Sequence, residues 1–178
     1  MNLDWLILDW IQDALKCGWM DWLMPKITAL GNVGIIWIVI GVVMLCTKKY
    51  RKNGIILLAS LLVGVLVGNV CLKHLIARSR PCWLNAEVTL LIANPTDFSF
   101  PSGHTLSSTI AATVLWETDK RFGIPSAVLA ALIAFSRLYL YVHFPSDVLA
   151  AVVLGFVIGK LMCRKLLLDS KKWCLRCK

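Results

Sequence analysis

Two long apolar runs, Ile27 to Cys46 and Ile55 to Ile76, constrain this chain more than any other feature. Roughly 20 consecutive apolar residues cross a bilayer core as a helix, because there each backbone N–H and C=O must find its partner within the protein. Three less even runs follow, around Ser102 to Trp116, Ile124 to Val142 and Val148 to Cys163. The reading is therefore all-α: a polytopic membrane helical bundle of about five spans. With 58% hydrophobic and 16% charged residues, the composition agrees. The third run is short and carries Ser107, Ser108 and Thr109, which suits a helix enclosed by its neighbours better than one facing lipid.

Ahead of the first span, Leu3, Leu6, Ile7, Trp10, Ile11 and Ala14 fall on one helical face, with Asp9, Gln12, Asp13 and Lys16 opposite. That pattern predicts a helix lying in the membrane interface. A sixth span is disfavoured by the cost of Asp4, Asp9 and Asp13, and a secretory signal by the missing basic start. The whole chain reads as one membrane-embedded domain: an interfacial helix over residues 1–25, the bundle over 27–163 and a basic tail over 164–178.

The formal charge of +9 reflects topology rather than nucleic-acid binding. Lys48, Lys49, Arg51 and Lys52 lie between spans one and two, and Lys120 and Arg121 between three and four. Lys160, Arg164, Lys165, Lys171, Lys172, Arg176 and Lys178 lie at the end. Alternating spans put all of them on one side, which the positive-inside rule makes cytoplasmic together with the carboxyl terminus.

Cys46, Cys71 and Cys163 sit in or beside spans, where cysteine serves as a small apolar side chain. Cys174 and Cys177 form a C-x-x-C, but a structural zinc needs four ligands and no second pair is near, so no metal is expected there. Cys17 and Cys82 both fall on the outer side, and their pairing is open at this stage. Gly64 and Gly68 are spaced for close helix contact within the chain.

Four basic residues remain near the other ends of the spans: Lys73, Arg78, Arg80 and Arg137. The same surface receives His104 at the start of span three and His143 between spans four and five. His143 and Asp147 are four residues apart across a helix start at Pro145 and Ser146, so imidazole and carboxylate can share a face. His74 has no such partner and reads as structural. Cations, imidazoles and a helix start at Ser102 and Gly103 together suit a phosphate, which lysine and arginine neutralise and free backbone N–H groups bind.

At these residues the chain resembles the type-2 phosphatidic-acid phosphatases of the vanadium-dependent haloperoxidase superfamily. Three motifs carry the resemblance: K-x6-R-P in KHLIARSRP from Lys73 to Pro81, P-S-G-H from Pro101 to His104, and S-R-x5-H-x3-D in SRLYLYVHFPSD from Ser136 to Asp147. Many membrane members have six spans, where five and an interfacial helix are counted in this chain. The resemblance implies hydrolysis of a phosphomonoester or diphosphate through a phosphohistidine, with no metal or other cofactor. It makes His143 the nucleophile, Asp147 the group that fixes its tautomer and His104 the acid and then base. Lys73, Arg80, Ser102, Gly103 and Arg137 would bind the phosphoryl oxygens. A bell-shaped pH profile set by two imidazoles is expected.

A site at the outer ends of spans implies an amphiphilic lipid phosphate at a bacterial plasma membrane, with catalysis on the extracytoplasmic side. Small bacterial members include phosphatases of undecaprenyl diphosphate, the favoured substrate, and of phosphatidate or phosphatidylglycerophosphate. The segment from Cys82 to Phe100, with Trp83, Glu87 and Asp97, is expected to cover the site. A non-catalytic lipid-binding or lipid-moving protein on the same fold is the alternative of another class. A soluble haloperoxidase is argued against by the spans. An ion pathway is argued against by polar residues gathered at one end.

Overall fold

The computed structural model of the chain describes residues 3–85 and 87–176, with side chains through residue 165. The C-x-x-C of Cys174 and Cys177 and the tail residues Lys171, Lys172, Arg176 and Lys178 lie outside the described side chains. Two helices, α1 (Leu3–Leu15) and α2 (Gly18–Leu30), precede a 3-10 turn at Asn32–Gly34 and α3 (Ile35–Cys46). Helix α4 (Arg51–Gly64) continues through a π-helical stretch, Val65–Leu72, into α5 (Lys73–Ile76). A short α6 (Pro81–Leu84) is followed by α7 (Gly103–Thr118), α8 (Lys120–Tyr139) and α9 (Pro145–Arg176). No strand occurs among the described residues.

Three segments are long and apolar enough to cross a membrane: Arg51–Leu84, Lys120–Tyr139 and Pro145–Lys165. A fourth crossing is bent, Gly18–Leu30 and Asn32–Cys46 meeting at 42°. The first span thus starts before Ile27, inside the segment read as interfacial. It breaks where Val33 and Gly34 take left-handed backbone conformations, φ 53° and 69°. The fifth expected span, α7, has 16 residues. At 1.5 Å per residue it covers about 24 Å, short of a hydrocarbon core of about 30 Å.

Helix α7 is short and hydroxyl-rich because it is the axis of the bundle. Ile110, Val114 and Leu115 sit in the main core with Trp37, Leu57, Ile133 and Ala151. Ser108, fully buried, accepts the Trp37 indole N–H at 3.0 Å. A Cβ on Gly155 or Gly159 of α9 would come within 2.9 Å of Thr109 or 2.8 Å of Thr113, so glycine permits that contact. Gly64 and Gly68 do the same toward Ile110 and Leu106. Their spacing serves packing within the chain. Outside, Val39, Val43, Leu62, Val128, Leu149 and Phe156 are exposed, an apolar surface that a lipid environment covers.

Helix α1 divides its apolar residues between two surroundings. Leu8 and Ile11 are buried together with Asp4, while Leu3, Leu6 and Trp10 stay exposed. The buried stripe is therefore not the whole apolar face read from periodicity; Asp4 is drawn inward by its bonds to Arg78 and Ser146. At the basic end of the bundle Asn53 donates to the Thr118 hydroxyl at 2.8 Å, and Lys160 pairs with Glu117. Helix α7 runs from there to Gly103, so the motif residues collect at the opposite end.

Candidate active site

A cavity of about 770 Å³ opens at that end, lined by Lys73, Arg80, Gly103, His104, Arg137 and His143. Six of the eight expected site residues thus share one space, drawn from α5, the α6 start, α7, α8 and the loop before α9. Ser102 and Asp147 are fully buried and do not line it. Ser102 precedes α7 without capping it, and its oxygen accepts the Thr105 hydroxyl at 3.0 Å.

His143 is 1% exposed. It follows a tight turn in which Tyr141 takes φ 59°, a strained conformation for a non-glycine residue. Arg80 Nη1 lies 3.1 Å from His143 Nε2. Because a guanidinium only donates, Nε2 is the unprotonated ring nitrogen, its lone pair accepting the Arg80 N–H, and Nδ1 carries the proton. Nδ1 faces Asp147 Oδ2 at 3.7 Å, too far for a hydrogen bond, and has no other partner. The expected pair is therefore a close approach of a carboxylate to the N–H edge of the ring and not a formed hydrogen bond. Asp147 spends its closer bonds on the Phe144 N–H, the Ser99 hydroxyl and Arg78. Burial, helped by the charges of Arg80 and Arg137, lowers the His143 pKa to about 3 against the opposing pull of Asp147. The imidazole is neutral, the state a nucleophile needs.

The cations are held rigidly. Arg80 donates to the carbonyls of Asp97, Val142 and Phe98 and to the Asp97 carboxylate. Arg137 is pinned by the Thr28 hydroxyl at 2.6 Å, and its Nε is buried with no partner. An unpaired buried donor is costly unless a ligand supplies an acceptor. Lys73 pairs with Asp97. Three cations against the Asp97 carboxylate leave two positive charges on the cavity wall, which suits a doubly charged phosphate. Among the described residues no group of three or more His, Cys, Asp or Glu is placed to hold a metal ion.

His104 Nε2 meets Asn32 Oδ1 at 2.9 Å, at the break between α2 and α3. A Cβ on Gly31 would come within 2.8 Å of the His104 ring, so glycine makes room for it. Gly103 is close to Asn69, whose Oδ1 is buried and unpaired.

Several contacts join the site that the sequence reading left out of it: Asn32 at His104, Thr28 at Arg137, Ser99 and Arg78 at Asp147, and Asp4 at Arg78. Of the covering segment, residues from Ile92 to Asp97 line the cavity. Trp83 and Glu87 do not, the Trp83 indole being spent on Asn94 and Pro95. Burial works to raise the Asp97 pKa, but the Lys73 bond and the Arg80 charge outweigh it and hold it at about 2. His74 bonds only the Val70 carbonyl, in keeping with a structural role. Cys17 is exposed and Cys82 buried, and the two are not joined in the structure.

A family model described as the PAP2 superfamily matches residues 53–168. An undecaprenyl-diphosphatase of Sulfolobus acidocaldarius is 39% identical over 121 residues, which is 67% of this chain and 58% of that protein. The chain spans little more than half the length of the first curated relatives it matches. Among solved structures, Aquifex aeolicus LpxE superposes with a TM-score of 0.81 at 25% identity, covering 92% of this chain and 96% of the other. A PAP2-type phosphatidylglycerolphosphate phosphatase of Bacillus subtilis gives 0.73 at 29% identity, covering 96% and 88%.

Proposed function

We propose that this chain, which belongs to the PAP2 superfamily, is a membrane lipid phosphatase that cleaves a phosphomonoester or diphosphate through a phosphohistidine. The observation that carries this reading is the convergence of Lys73, Arg80 and Arg137 on one cavity with the unprotonated Nε2 of His143. Nε2 attacks phosphorus as the bond to the leaving oxygen breaks, and His104 gives that oxygen a proton. Water then attacks phosphorus as the phosphorus–nitrogen bond breaks and returns its electron pair to Nε2, His104 takes the water proton, and inorganic phosphate leaves. Lys73, Arg80, Arg137 and the Gly103 N–H stabilise the oxygens as charge shifts among them, while Ser102, buried outside the cavity, supports the start of α7. Asp147, facing Nδ1, holds the tautomer and offsets the charge that His143 gains.

The substrate is an amphiphile. Below the cations the cavity wall becomes apolar, with Leu61, Val65, Leu106 and Ile110, a surface for the first carbons of a lipid chain. Undecaprenyl diphosphate is the first choice, supported by the activity named for the Sulfolobus relative. Phosphatidylglycerophosphate is the second, supported by the name of the Bacillus structure. The basic connections lie at the other end of the bundle, so by the positive-inside rule the site opens on the extracytoplasmic side of the membrane. Phosphate release by the purified protein in EDTA, from both lipids and phosphatidate side by side, tests the reading. Release fastest from the prenyl diphosphate is expected. Faster release from a glycerophospholipid transfers the substrate assignment, and release from none contradicts phosphatase activity.

Two further outcomes follow from the geometry. The acid limb of kcat/KM falls below pH 6.5, the ordinary imidazole value, because His143 stays neutral down toward about 3. The same shift makes the folded state lose stability as pH drops from 6.5, since the unfolded chain takes up that proton first. A pH–rate profile with His143 titrating at 6.5 contradicts the assigned environment. Separately, Asp97→Asn removes the carboxylate that shares Lys73 and Arg80 with an incoming phosphate. Inhibition by inorganic phosphate is expected to tighten about threefold to tenfold, read from the Ki.

A further inference from the structure

We propose that the amino-terminal helix is part of the catalytic apparatus: Asp4 on α1, acting through Arg78, positions the Asp147 carboxylate that faces His143. The inference rests on the reading of His143 as nucleophile. One Asp4 oxygen accepts Arg78 Nη2 at 2.7 Å and the Ser146 hydroxyl at 2.6 Å, and the other accepts the Ser146 N–H at 2.9 Å. The opposite arm of the same guanidinium donates to Asp147 Oδ1 at 2.6 Å and to the Ser146 hydroxyl at 2.7 Å. Arg78 also lies 4.1 Å over the Phe144 ring. A planar fork clamped between two carboxylates and resting on a ring has little freedom.

This clamp accounts for the orientation of Asp147. With Oδ1 tied to Arg78, Oδ2 is turned toward His143 Nδ1 and receives the Phe144 N–H and the Ser99 hydroxyl. At 3.7 Å from Nδ1 the carboxylate has no bond of its own to the ring, so its bearing depends on these supports. Asp4 matches the Arg78 charge; without it, Arg78 would draw Asp147 off the imidazole. Burial works to raise the Asp4 pKa, but the bonds from Ser146 and Arg78 outweigh it and keep the carboxyl ionised. The outward side of α1 presents Leu3, Leu6 and Trp10, so one helix touches both the lipid surface and the support of the catalytic aspartate.

The test compares Asp4→Asn with Asp9→Asn in the full chain. Asp9 anchors the same helix through the Tyr141 hydroxyl at 3.2 Å, away from Asp147. Asp4→Asn is expected to lower kcat about tenfold to a hundredfold with KM and phosphate Ki within about twofold, while Asp9→Asn stays near wild type. Arg78→Gln should lower kcat alike, and the double variant no further than the worse single one. Equal losses in the Asp4 and Asp9 variants overturn the proposal, because α1 would then matter only as a docked helix. So would additive losses with Arg78→Gln, or an unchanged kcat for Asp4→Asn. If Asp4→Asn does not fold, Ser146→Ala loosens the same clamp and is judged by the same split between kcat and KM. Absence of turnover by wild type would instead remove the phosphatase reading itself.

Discussion

Replacing His143 with alanine is expected to abolish turnover, lowering kcat by about 10⁴-fold or more while leaving phosphate bound. His143 Nε2 is the unprotonated nitrogen at the cavity wall, accepting from Arg80 until substrate binds, so its removal deletes the covalent route. Binding has a different source. Lys73, Arg80 and Arg137 keep their own partners in Asp97, Val142 and Thr28, none of which depends on the imidazole. Vanadate or inorganic phosphate should therefore bind the variant within about threefold of wild type, as complementary charges remain in place. A variant that keeps a tenth of wild-type kcat would remove His143 from the nucleophile role.

Arg80→Lys is the second large effect, a loss of about 10²–10³ in kcat/KM despite the conserved charge. Arg80 uses Nε, Nη1 and Nη2 to reach Asp97, Val142, Phe98 and the imidazole at once. A lysine carries one nitrogen and cannot span these acceptors. The loss has two parts that kinetics separate. Poorer phosphoryl binding raises KM, and an unheld His143 lowers kcat. A Lys73→Arg variant should be far milder, because Lys73 makes a single ion pair with Asp97.

How much of the molecule is legible in the sequence depends on how far apart the interacting residues lie along the chain. Lys73 and Arg80, Pro101 to His104, and Arg137, His143 and Asp147 each sit at fixed local spacing, so the amino-acid order alone reveals them. Apolar runs locate the helices, and the hydroxyls of α7 mark it as enclosed. The bend at Gly31 to Gly34 is hidden by the apolar residues on both sides, although two glycines around Asn32 and Val33 are a signal for it. Asp97 lies in a segment without periodicity, so its grip on Lys73 and Arg80 leaves no pattern. Asp4 reads in the sequence as an obstacle to membrane insertion; its partner Arg78 is 74 residues away. Contacts of that range depend on how α1 docks against the start of α9, which local spacing does not encode. The His143 to Asp147 spacing correctly places the two groups face to face, but the 3.7 Å gap is set by competition for the carboxylate from Ser99, Phe144 and Arg78.

The central claim is a covalent bond between phosphorus and His143, and trapping it is the direct test. Wild-type protein mixed with a ³²P-labelled lipid phosphate and quenched in base should retain a label that is stable in base, lost in acid and mapped to a peptide containing His143, with none retained by His143→Ala. Turnover with no such label at any time point, or a label on another residue, would contradict the account.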